Sequence, residues 1–296
     1  MLLVAVGLYL TNDFNRDQYR LQQDSTKQQE DLALKGQRAD RFVRAIDQLG
    51  QEGNEKLSIR LGGVYALETL MRESPEDRNT IIEVLCAFIR THAPLPRQVP
   101  RIVPPSTEDI RATLSVLGRR PDPHSLSRLD LSSTLLGLSG INLLSADLTY
   151  ANLTRSNLES ATLKDADMAY VDLRSAYLRG ADLTNVNLTN ATMQRVSMAF
   201  AILVGAVLTN AKLANADLTG SNLSGANLSG ANLTNANLTK ADLSGADLTG
   251  AHLRGANLTG AYLNGVNLKC TTMNGATKLP PGIPRSQDEL PIGCQR

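Results

Sequence analysis

The sequence predicts a four-sided, quadrilateral β-helix over residues 136–275, preceded by an α-helical N-terminal region, and three observations predict it. From Leu138 to Met273 every fifth residue is Leu or Met, with no insertion and no proline. Of these 28 centres 24 are Leu, the others being Met168, Met193, Met198 and Met273. Two residues before the centre stands Ala in 19 of the 28, with Val171, Val186, Val196, Ser156 and Ser221 among the substitutes.

A period of five fits neither an amphipathic helix nor an alternating strand. It closes if the chain turns a corner every five residues, with the centre and the residue two before it pointing inward. The other three then face water, and here they are mostly Asn, Asp, Thr, Ser and Gly. Glycines such as Gly220, Gly225 and Gly230 fall where a corner needs permissive backbone. Four sides make a coil of 20 residues, and 28 units make seven coils, a rod about 34 Å long at strand spacing. Each inward Leu contributes roughly 1.5–3 kcal/mol by burial.

The wording of the units carries a resemblance. Ala-Asp-Leu-Thr-Gly at 246–250, Ala-Asn-Leu-Ser-Gly at 226–230 and Ala-Asn-Leu-Thr-Asn at 231–235 look like the repeat of pentapeptide repeat proteins. The resemblance covers roughly 136–275 and implies an all-β, right-handed quadrilateral β-helix, a pentapeptide-repeat solenoid. The family's named functional group inhibits or protects DNA gyrase by mimicking duplex DNA, which makes a DNA-mimicking modulator of gyrase the alternative function.

The N-terminal elements follow in order. Residues 1–11 form an apolar stub, and Met1–Leu10 is too short for a bilayer that needs about 20 residues. It is either the end of a membrane helix begun upstream or a stub packing on protein. Residues 12–41, rich in Gln, Asp, Arg and Lys, read as a solvated helix or a flexible linker. The helical region extends to 93. Ala39, Phe42, Ile46 and Leu49 share one face, ended by Gly50 and Gly53, and Leu57, Leu61, Val64 and Met71 form a second stripe. Ser74-Pro75-Glu76-Asp77 starts a third helix bearing Ile81, Leu85, Phe88 and Ile89. A proline-rich linker spans 94–105.

Residues 106–135 form a helical cap and lead-in, with Ser106 and Asp109 capping a helix of Ile110, Leu114 and Leu117. That helix covers the first coil, with Leu126, Leu129 and Leu131 as irregular rungs. Pro280, Pro281 and Pro284 stop the ladder at the start of the tail, 276–296. The stretch from Arg41 to Arg90, above all Arg60-Leu-Gly-Gly-Val-Tyr-Ala-Leu-Glu68, resembles the helical region preceding the repeats in bacterial pentapeptide proteins with N-terminal membrane helices.

Signals of catalysis are thin. His92, His124 and His252 lie in three different elements, and Cys86 sits in an apolar run. Cys270 and Cys294 could pair, but three cysteines, an odd number, favour reduced thiols and a cytoplasmic setting. No phosphate loop, zinc spacing or nucleophile motif occurs, so no enzyme, cofactor or metal is expected. Between 136 and 275 nine acids face nine bases, and the chain is +1. That balance favours neither DNA mimicry nor nucleic-acid binding.

One coil breaks the polar rule. Phe200, Ile202, Val204 and Val207 stand in outward phase where neighbouring coils carry polar residues. They are the candidate interaction surface. Cover by another part of the chain, a protein partner, self-association and local distortion of the coil are the readings it leaves open. The expected function is a non-catalytic scaffold on a β-helix, with a candidate membrane contact through residues 1–11.

Overall fold

The computed structural model describes residues 2–96, 106–121, 128–136, 143 and 145–282, with side chains from Arg16 onward except at 17. Leu126, Leu138, His124, Cys294 and most of the proline linker therefore lie outside the described residues, as do the side chains of the apolar stub. The chain divides into two compact units, Met1–Leu70 and Met71–Arg296.

In the first unit, α1 runs unbroken from Leu2 to Leu49, so the polar stretch 12–41 is helix rather than linker. Among its described side chains the buried ones are Ala45 and Leu49, while Ala39 is exposed, so the packed face is rotated from the expected one. Gly63 explains the shift. It lies against Ala45, where a Cβ at 63 would stand 2.7 Å from the Ala45 carbonyl oxygen. α2 spans Leu57–Glu73. Arg60, buried, donates to the carbonyls of Gln51 and Gly53 at 3.0 and 2.7 Å and so pins the loop between the two helices. No helix among the described residues is long and apolar enough to cross a membrane.

In the second unit, Pro75–Asp77 forms a 3₁₀ turn leading into α3, Arg78–His92. α3 buries the four expected residues and also Ile82 and Cys86. α4 is Glu108–Gly118, capped at Thr107 rather than Ser106, with no side-chain cap hydrogen bond, and it packs on α3. Its end lies against the start of the rod, where Asp147 N donates to Gly118 O at 3.4 Å. Gly118 leaves only 3.2 Å between a would-be Cβ and Ala146 Cβ. The Arg120 side chain, 1% exposed, donates to the carbonyls of Leu117 and Asp147 at 3.0 and 2.6 Å. Burial lowers the pKa of its guanidinium, and the nearby Asp147 carboxylate opposes that shift.

The rod is a right-handed four-sided β-helix built from single parallel bridges. From Asp147↔Asp167 to His252↔Thr272 the pairing offset is 20 residues. The first coil is longer, with offsets of 22 at Asp130↔Asn152 and Leu135↔Asn157, so the seven-residue step falls between the rungs Leu136 and Leu143 and not directly after Leu131. Leu136, not expected as a rung, is buried beside Leu129 and Leu131. The chain after α3 adds an antiparallel strap, with Leu95 N donating to Ser133 O and Leu135 N to Ala93 O, both 2.8 Å. At the far end the ladder continues past 275, because an extra corner residue lets Lys278 pair with Asn257. Centres from Leu148 to Leu258 are fully inward. Leu263, Leu268 and Met273 are only half-buried, because no further coil covers them among the described residues.

Candidate functional site

Each coil has four faces, and the corner between two faces shows what the outward residues do. At regular corners the Asp or Asn before the centre accepts, through Oδ1, the N–H of the residue two later, as from Thr149 to Asp147 at 2.9 Å. The Thr hydroxyl adds a second bond at 2.6 Å. The same motif recurs at Asn187, Asp217, Asn227 and Asp247. These side chains are therefore corner locks that satisfy backbone donors, and not only a solvated face.

Ile202 and Val207 stand in that lock position and have no oxygen to offer. Thr192, Ser197 and Lys212 around them make no such bond either, so five successive corners lack an interaction worth about 0.5–1.5 kcal/mol each, and of these only Ile202 and Val207 are apolar. The interior changes in the same place, with Met193, Val196 and Met198 as inward residues. The coil also exposes its apolar outward side chains. Phe200 is 56% and Ile202 41% exposed, and Val204 and Val207 are half-buried. Phe200 holds its corner at φ 59. The Arg179 guanidinium sits 5.5 Å from its ring centroid, and Gly220 of the next coil lies against its edge. The four candidate residues therefore form one girdle over the faces of Ile202 and Val207 and the corner at Phe200 that precedes them, without the register shift that local distortion would require.

Charge is sorted around the rod. Taking each five-residue unit as one face, the faces of Ile202 and Val207 carry Asp165, Asp182, Asp242, Asp147, Asp167 and Asp247 against Lys164 and Lys269. The face of Lys212 reverses this, with Arg155, Arg174, Arg195, Lys212 and Arg254 against Asp172. The fourth face balances Glu159 and Asp217 with Arg179 and Lys240. Six acids to two bases on one side thus oppose one to five on another, a pattern hidden by the net value of zero.

Other chemistry is structural. Burial disfavours ionisation of Asp172, but hydrogen bonds from Arg174 at 2.9 and 2.7 Å outweigh it and hold the pKa low. His252 Nδ1 lies 2.9 Å from Thr272 Oγ1 on the surface. Burial pushes the Cys86 thiol up to about 12. Cys270 is disulfide-bonded, which corrects the expectation of reduced thiols and removes its support for a cytoplasmic setting. A cleft of about 550 Å³ between α3 and the first rung is lined by Arg90, Asp130 and Arg128, with Arg90 and Asp130 paired at 3.2 Å. No group of His, Cys, Asp or Glu among the described residues could hold a metal ion.

The family described as pentapeptide repeats matches with eight copies over 138–165, 166–199, 201–239 and 241–277. The chain belongs to the pentapeptide repeat family. Phe200 and Lys240 fall between matched segments of this pentapeptide repeat protein. It is similar to Rfr23 from the cyanobacterium Cyanothece 51142, with 41% identity over 33% of this chain and 63% of that one, TM-score 0.25. The chain thus spans under two thirds of Rfr23. It is also similar to alr5209 from Nostoc Pcc 7120, with 36% identity over 35% of this chain and 77% of that one, TM-score 0.26. QnrB1, a plasmid-mediated fluoroquinolone resistance protein, shares 22% identity over 50% and 78%, TM-score 0.34. No curated protein matches the chain.

Proposed function

We propose that this pentapeptide repeat protein is a non-catalytic scaffold whose rod makes a protein contact through the girdle of Phe200, Ile202, Val204 and Val207. One observation carries the reading: a coil inside a regular ladder puts apolar Ile202 and Val207 where other corners carry polar residues, and exposes Ile202 together with the corner ring of Phe200. Contiguous exposed apolar area marks interfaces in soluble proteins. Changing Phe200 to Ser and Val204 to Thr leaves the inward rungs intact. The expected result is unchanged melting with a shifted oligomeric or partner-bound fraction in light scattering. An unchanged assembly state and partner set would remove the reading.

A further inference from the structure

The proposal above rests on the girdle being a protein contact; the charges around it say what kind. We infer that the girdle receives a basic, apolar-anchored segment of another protein. Ile202 has Asp182 one coil before it and Asp242 two coils after it in the same column. Val207 has Asp167 and Asp247 two coils away on either side. At strand spacing these carboxylates stand about 5–10 Å from the apolar row, within reach of Lys or Arg side chains flanking an apolar anchor. Each of the four is held by its corner through Oδ1, to Thr184, Ser244, Ala169 and Thr249 respectively. No ion pair engages them among the described residues. They are acceptors fixed in place, with amide donors, Asn187 at Asp167 and Asn267 at Asp247, as their only further partners among the described residues, and their charge is not neutralised by a described cation. Asp172 on the basic face differs, since both its oxygens already bind Arg174.

The same charges disfavour a second copy as occupant. Two girdles placed face to face would set Asp182 and Asp167 against Asp242 and Asp247, which repel. Pairing a girdle with the basic face of another copy would bury Phe200 against Asn152, Thr192 and Asn232, leaving the apolar row without an apolar partner. A cationic amphipathic segment satisfies both features at once.

The test uses the full chain and two short labelled amphipathic peptides of one pattern, leucine with lysine and leucine with glutamate, followed by anisotropy at low and high salt. The lysine peptide binds and the glutamate peptide does not. Asp182→Asn with Asp242→Asn weakens binding about tenfold at low salt and flattens its salt dependence. Asn occupies the same lock position at Asn222, so these variants keep their corners. Phe200→Ser with Val204→Thr abolishes binding, and Arg155→Gln with Arg195→Gln leaves it unchanged. Failure of the lysine peptide to bind overturns the inference, and the assembly state of the Phe200/Val204 variant then decides separately whether the girdle is a contact. Equal binding by the aspartate variants, or an equal loss in the arginine variants, also overturns it. So does self-assembly strengthened by the aspartate changes, which identifies a second copy as the occupant.

Discussion

Phe200 Cε1 lies 2.8 Å from the point where a Cβ on Gly220 would stand, one coil further along the rod. Gly220 itself has φ 62. The ring of the girdle and the missing side chain beneath it are therefore one packing unit, joined across the ladder.

Gly220→Ala is expected to destabilise by about 1–2 kcal/mol from the left-handed backbone alone, with a further loss from displacing the ring. In a Phe200→Ser background only the backbone part remains. A double-mutant cycle by urea unfolding measures the difference, and additivity of the two changes would separate Phe200 from Gly220.

Leu228 is fully buried in the middle of the regular ladder. Leu228→Asp places an unpaired charge among stacked leucines, and the rod should unfold. Circular dichroism and melting equal to those of the wild type would contradict the coil.

The Asp172 pKa is held below the ordinary carboxylate range, so its contribution to stability is present above about pH 4 and is lost as pH falls through the lowered value. Asp172→Asn should therefore melt below the wild type at neutral pH, with the gap closing in acid. A gap that persists unchanged at the acid end would show that Arg174 and Asp172 do not act as a charged pair.

Cys86 is buried and Cys270 is bridged. Titration of unfolded, unreduced protein should find one reactive thiol of the three cysteines, and all three after reduction. Three thiols without reductant would remove the bridge.

A duplex as long as the rod, about 34 Å, carries roughly 20 phosphate charges. The acidic side of the rod has six acids opposed by two bases. We expect no inhibition of gyrase supercoiling at micromolar protein. Dose-dependent inhibition that fades with salt would restore the mimic.

The period of five made the rod legible, because inward Leu and Ala at fixed phase admit few other geometries. The girdle was legible for the same reason, since Ile202 and Val207 are the two aliphatic side chains at a position that is mostly Asn, Asp or Thr. The corner locks were not, because Asp and Asn read equally well as solvated residues until their Oδ1 atoms are placed against the N–H two residues later. The 22-residue first coil was hidden because Leu138 also stands five before Leu143, which made the seven-residue step seem to lie before Leu138 when it runs from Leu136 to Leu143. The packed face of α1 was misplaced because Gly63, which lets Ala45 approach α2, leaves no apolar trace. Charge segregation needs the register itself, since Asp182 and Arg195 differ in sequence only by position within twenty.

The constant offset of twenty couples the length of this molecule to its orientation. Removing four units shortens the rod by one layer and leaves each column on its own face. Removing the single unit 221–225 would turn everything beyond it by a quarter of a revolution. Asp247 would then take the place of Asp242 in line with Ile202, and Asp242 would pass to the fourth face. Which groups meet around Phe200 can thus be rewritten by a deletion that touches none of them.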